Sequence, residues 1–143
     1  MSNVQTVQQM YEAFGRGDVA AILEKMSDGV EWESWGVDNT AQGAGVPWLE
    51  RRSGKGGVGE FFGAVASSLE FHSFEPQSIL EGPHQVAAII RFDATAKETG
   101  ERFTDEEIHL WTFDDDGKVT GMRHFGDTAK HIKAAKGSLT GVS

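Results

Sequence analysis

Cysteine is absent from the 143-residue chain. That excludes disulfides, thiolate zinc sites and a cysteine nucleophile, and it fits a cytoplasmic protein. Positive charge is scarce: 13 Lys and Arg stand against 22 Asp and Glu, a net charge of −9. A nucleic-acid surface needs clustered cations to neutralise phosphates, so charge argues against that partner. An anionic membrane surface is disfavoured for the same reason. No apolar run reaches the roughly 18 residues of a membrane-spanning helix. Met1-Ser2-Asn3-Val4-Gln5 has neither a basic region nor an apolar stretch, so no signal peptide is expected. Repeats, low-complexity tracts, phosphate loops, dinucleotide fingerprints and metal motifs are missing too. No cofactor and no metal are expected.

What is present describes one folded domain. Hydrophobic residues are 38% and charged residues 24%, a globular balance rather than a disordered one. A chain of this length buries about two thirds of its unfolded surface. The domain is expected over 1–136, with a flexible tail over 137–143.

The first half reads as helical. Val4, Val7, Met10, Tyr11 and Phe14 recur at helical spacing behind Ser2 or Asn3 as cap. Gly15 and Gly17 stop that helix, and Asp18 caps a second one carrying Val19, Ile22, Leu23 and Met26. Asp28-Gly29 ends it, and Val30 to Ser34 suits a short strand. Trp35 to Lys55 is rich in glycine, holds Trp35 and Trp48, and reads as a long loop: a lid over a pocket or an anchored surface loop. Val58, Phe61, Phe62, Val65 and Leu69 then form the apolar stripe of a third helix. Gly57, Gly59 and Gly63 each weaken it by about 1 kcal/mol relative to Ala, so packing must hold it.

The second half alternates as strands do. Val86, Ala88, Ile90, Phe92, Ala94 and Ala96 share one face, with Arg91 and Asp93 on the other. Phe103, Asp105, Glu107, His109, Trp111 and Phe113 share a face of the next strand. Asp114-Asp115-Asp116-Gly117 is a hairpin turn, Lys118 to Phe125 the last strand, and Asp127 caps a short helix ended by Gly137. Helices segregated from an antiparallel meander make an α+β fold.

Phe14-Gly15-Arg16-Gly17-Asp18 resembles the F-x-x-G-D link between the first two helices of nuclear transport factor 2-like domains. Gly45-Val46-Pro47-Trp48, Gly54-Lys55-Gly56-Gly57-Val58 and Phe61-Phe62 resemble the loop and third helix of the SnoaL-like branch. Ile108 to Phe113, Asp116 to Val119 and Arg123 to Ala129 resemble its closing hairpin. The resemblance implies a cone: a curved, mixed or antiparallel sheet wrapped on a long helix, cystatin-like in architecture. It implies a small-molecule binder, either a cofactor-free cyclase, isomerase or dehydratase using histidine acid–base chemistry on a hydrophobic substrate, or a non-catalytic ligand-binding or dimerisation module. An epoxide hydrolase-like reading rests on Arg91, Asp93 and Arg102. Ketosteroid isomerase also belongs here, but its catalytic carboxylate falls on Ser34, its tyrosine on Met10 and its second aspartate on His109.

His109 and His124 are therefore the candidate catalytic residues, since imidazole exchanges protons near neutral pH. Trp32, Ser34, Phe62, Trp111 and Met122 should line one cavity, with Trp48 at its mouth. In that apolar cavity both histidines should titrate low. Asp127 either caps its helix or orients His124. His72, His84 and His131 read as structural or exposed. The sequence leaves two hairpin registers open: one pairs His109 with His124, the other sets Arg123 opposite His109. Ile108 and Leu110 face outward and need cover, which a second copy supplies in a homodimer. The substrate's identity is not legible.

Overall fold

The computed structural model describes residues 1–138; of the expected tail, 139–143 lie outside the described residues. Helix α1 spans Asn3–Gly15, with a reciprocal capping box between Ser2 and Gln5. Helix α2 is short, Val19–Leu23, capped by the Asp18 side chain. Strand β1 runs from Met26 to Trp32. Met26 thus opens a strand instead of closing a helix, and Asp28-Gly29 lies inside that strand. The segment read as a long loop carries a short helix α3 (Thr40–Gly43), a 3₁₀ turn (Pro47–Leu49) and strand β2 (Arg52–Ser53). Helix α4 spans Gly54–Ser68. Strands β3 (Leu69–Gly82), β4 (Gln85–Ala96), β5 (Arg102–Phe113) and β6 (Val119–Phe125) follow, then helix α5 (Thr128–Lys136).

The six strands form one sheet in the order β2-β1-β6-β5-β4-β3. All pairs are antiparallel except β1 with β6, which run parallel inside the sheet. Helix α4 lies against the concave face. Phe61, Val65, Leu69, Ile90, Phe92 and Phe113 are buried together there, and Phe62 packs against them half-buried. The glycine-weakened helix is therefore held by the sheet it covers. No helix among the described residues is long and apolar enough to cross a membrane.

The closing hairpin settles the register. Gly117 takes a left-handed φ of +79° in the turn, and Phe113 pairs with Val119. An irregularity beside that pair then sets His109 directly opposite His124. Arg91 and Asp93 lie on the outer face, in exposed ion pairs with Glu106 and Arg102. That placement removes the epoxide hydrolase-like arrangement from the cavity.

A candidate acid–base site in an aromatic cavity

The concave face of the sheet, α1 and α4 surround a cavity of about 70 Å³. Its walls are aromatic: Tyr11, Phe14, Trp32, Phe61, Phe62, Phe71, Phe74 and Trp111 line it with Met10 and Met122. Its polar groups are Glu107, His109, His124 and His131, and none of the lining residues is Lys or Arg. Phe14, Phe71, Phe74 and Tyr11 also border a wider outer cleft between α1 and β3, so they stand between the two hollows.

His109 and His124 project into this cavity from adjacent strands, their ring centres 4.5 Å apart and edge to face. Trp32, Phe62, Trp111 and Met122 line the same cavity. Trp48 is not at the mouth but packed deep inside, 5% exposed. Ser34 is exposed and does not reach the cavity. The inward side chain is its neighbour, Glu33, which is fully buried. The cause is local. Glu33 adopts φ +55°, a left-handed conformation uncommon outside glycine. It ends the alternation of β1 and turns the carboxylate inward. Met122 O accepts from the Glu33 backbone N–H at 2.8 Å, and Gln42 donates to the Glu33 carbonyl at 2.9 Å, which holds the strained residue in place.

Glu33 completes a dyad. Its Oε1 accepts from both Nδ1 and the backbone N–H of His124 at 2.6 Å, and its Oε2 accepts from the Trp35 indole at 3.1 Å. Burial pulls the His124 pKa down, but the charge and hydrogen bond of Glu33 outweigh it, and the net shift is upward. The expectation that both histidines titrate low is thus corrected for His124. His109 does go down, through burial and the neighbouring His124 charge. Its Nδ1 lies 2.8 Å from the Tyr11 hydroxyl, which accepts from the Trp111 indole at 3.1 Å. Its Nε2 lies 3.1 Å from Glu107 Oε1. With the ring neutral, the hydrogen bonds run one way: Trp111 to Tyr11, Tyr11 to His109, His109 to Glu107. Burial raises the Tyr11 pKa, so the phenol keeps its proton. For Glu107, burial opposes ionisation, but hydrogen bonds from His109 and His131 prevail and its pKa is lowered.

His131, read as structural or exposed, is buried behind this pair. Its Nε2 contacts Asp105 at 2.9 Å and Glu107 at 3.2 Å, and its Nδ1 accepts from the Trp48 indole at 2.9 Å. Burial pushes its pKa down, but the two carboxylates lift it to about 9. An indole only donates, so the Trp48 contact belongs to a neutral ring. Charging His131 requires Trp48 to leave Nδ1. We assign the neutral ring, because the donor's position is fixed by packing. Asp127 orients neither histidine. It occupies the cap position of α5 without a side-chain cap bond, and its backbone N–H donates to Asp105 at 3.1 Å. Gly126 is required beside these carboxylates. A Cβ there would meet Asp105 Oδ2 at 2.6 Å and Glu107 Oε2 at 3.2 Å.

The SnoaL-like domain model matches residues 7–122. No curated protein matches the sequence. Among solved structures, the chain is similar to a nuclear transport factor 2-like protein of unknown function from Burkholderia pseudomallei. The two are 25% identical with TM-score 0.79, over 95% of this chain and 99% of that one. It is also similar in fold to TerC co-crystallised with polyporic acid, at 24% identity and TM-score 0.74, over 94% and 98%. A candidate SnoaL-like polyketide cyclase from Mesorhizobium loti shares the fold at 24% identity and TM-score 0.67, over 87% and 99%.

Proposed function

The chain belongs to the SnoaL-like domain family, and from that premise we propose that it moves a proton at a carbon beside a carbonyl, in a neutral hydrophobic small molecule. One observation carries the reading. Two buried imidazoles sit 4.5 Å apart, and their surroundings drive their pKa values in opposite directions. Such divergence assigns acid and base. His124, charged against Glu33, donates a hydrogen bond from Nε2 to the carbonyl oxygen and stabilises the oxyanion as it forms. On the other side a proton leaving carbon passes to the Tyr11 oxygen while the Tyr11 proton moves to His109 Nδ1. Glu107 then faces an imidazolium and stabilises it.

The lining supports a neutral substrate, since it holds no Lys or Arg and the charge on His124 is already paired with Glu33. Trp32 Nε1 is buried without a partner among the described residues and offers a further donor to an oxygen-bearing ligand. The name of the Mesorhizobium loti protein, a candidate polyketide cyclase, supports a carbonyl-rich skeleton, and aldol cyclisation and isomerisation both begin with this proton transfer.

The test is exchange of ketone α-protons with deuterium in D2O, followed by NMR over a panel of neutral cyclic and aryl ketones. The wild type should exchange above background, and His109→Ala and His124→Ala should each slow it by about 10²–10⁴. Variants that remain folded and exchange at the wild-type rate refute the assignment. A wild type that binds the ketones without exchange makes the domain a binding module instead.

A further inference from the structure

Two buried clusters carry the donor set of a metal centre: Glu107 with His109 and His124, and Asp105 with Glu107 and His131. In each, one ligand atom per residue lies within 4.8 Å of the others. The backs of the rings decide between them. An imidazole that gives a lone pair to a metal carries its proton on the other nitrogen, and that nitrogen then needs an acceptor.

His131 fails this condition. Its Nδ1 faces the Trp48 indole N–H at 2.9 Å, so moving the ring proton there sets donor against donor. His124 meets it, because its Nδ1 is already bonded to the Glu33 carboxylate at 2.6 Å. That leaves Nε2 for an ion. His109 meets it as well. Its Nδ1 lies 2.8 Å from the Tyr11 oxygen, which has two lone pairs and gives one to Trp111. Turning the Tyr11 proton away frees the second for His109 Nδ1–H.

We propose that Glu107, His109 and His124 bind a divalent transition-metal ion of the Zn²⁺ or Co²⁺ type, with the remaining coordination positions open to the cavity. His109 Nε2 and Glu107 Oε1 are 3.1 Å apart. An ion about 2.1 Å from each subtends roughly 95°, an angle that suits a facial set of two imidazoles and one carboxylate. The frame is rigid: His109 and His124 are a direct cross-strand pair, and Glu107 is two residues along the same face of β5. The second Glu107 oxygen is held by His131 at 3.2 Å. This inference is independent of the proton-transfer reading, and the two states exclude each other, because an ion displaces the protons that His109 and His124 carry on Nε2.

The probe is Co²⁺ alone, added to the wild-type protein. One equivalent should develop visible d–d absorption, and its paramagnetism should shift the ring resonances of His109 and His124 strongly while leaving exposed His72 and His84 near their positions. Glu33→Gln should weaken binding about 10- to 100-fold by removing the acceptor behind His124. His124→Ala should abolish the absorption, and the double variant His72→Ala/His84→Ala should leave it unchanged. Absence of the absorption at millimolar Co²⁺, or shifts centred on His72, His84 or His131, overturns the metal site. Either result leaves the ketone-exchange test standing by itself.

Discussion

Replacing Glu33 by Gln isolates what the buried carboxylate does, because the side-chain shape is kept and the charge is lost. In the native site Glu33 accepts two hydrogen bonds of 2.6 Å from His124 and one of 3.1 Å from Trp35. A bond to a charged acceptor contributes about 1.5–3 kcal/mol and a neutral one about 0.5–1.5, so the two short bonds lose about 2–3 kcal/mol together. The glutamine amide must turn its oxygen to His124, which places its NH₂ against the Trp35 N–H and forfeits a third bond. Relief of the need to keep His124 charged offsets part of this. The expected cost is about 2–4 kcal/mol, or a melting point lower by roughly 6–12 °C for a domain of this size. It should depend on pH. The folded-state pKa of His124 is raised, so the stabilisation is complete below the unfolded value of about 6.5 and is lost as pH climbs through the folded value. The gap between wild type and variant should be widest near and below pH 6.5 and narrow above it. Thermal melts across pH, with NMR titration of the His124 ring, measure both quantities. An unchanged His124 pKa in the variant, or a gap indifferent to pH, refutes the dyad.

Trp48→Phe removes the donor at His131 Nδ1, so His131 should stay protonated to higher pH than in the wild type; an identical NMR titration would contradict the neutral ring. Gly126→Ala drives a Cβ into Asp105 and Glu107 and should cost about 1–3 kcal/mol in a thermal melt, as overpacking does; a neutral result means the carboxylates yield. Ile108 and Phe125 are paired on the outer face and 42% and 38% exposed, beside a hollow also lined by Trp35 and Ile89. A second copy is the expected cover, and Ile108→Glu should convert dimer to monomer in sedimentation. A wild type that sediments as a monomer at micromolar concentration removes that expectation.

The strands of the second half were legible because period-two alternation over 12 residues, as in Gln85–Ala96, leaves one face to bury. The His109–His124 pairing was not fixed by alternation. It needed the irregularity beside Phe113 and Val119, and a one-residue slip would have turned His124 outward. Asp105 and Glu107 stood on the apolar face of their strand in plain view. Two carboxylates there must find donors, and that demand was the available signal for His131, whose helix otherwise marks it only by proximity to Ile132 and Ala134. Glu33 had no such signal. Glutamate carries no preference for a left-handed φ, the resemblance put Ser34 at the carboxylate position, and only the chain's path past Trp32 reveals the exchange.

Three indoles restrict how protons are arranged in this buried polar network. Trp35 donates to Glu33, Trp111 to Tyr11 and Trp48 to His131. An indole cannot accept, so each forces its partner to present a lone pair. At Tyr11 one lone pair and the phenolic proton remain, and with Glu107 accepting from His109 Nε2–H and no ion bound, the phenolic proton goes to His109 Nδ1. At His131 it leaves Nε2–H for the carboxylates. At Glu33 it engages Oε2, so that Oε1 belongs to His124 alone. Withdrawing the Trp111 or Trp48 donor requires an indole to move in a packed aromatic core, where Trp111 meets Trp32 and Tyr11 edge to face and Trp48 stacks on Phe103, whereas the Tyr11 hydroxyl can turn without moving either ring. Packing thus transmits to the protons: Trp111, a wall of the cavity, favours His109 as acceptor, while Trp35, packed on Phe125 outside the cavity, leaves Glu33 Oε1 to His124 as donor.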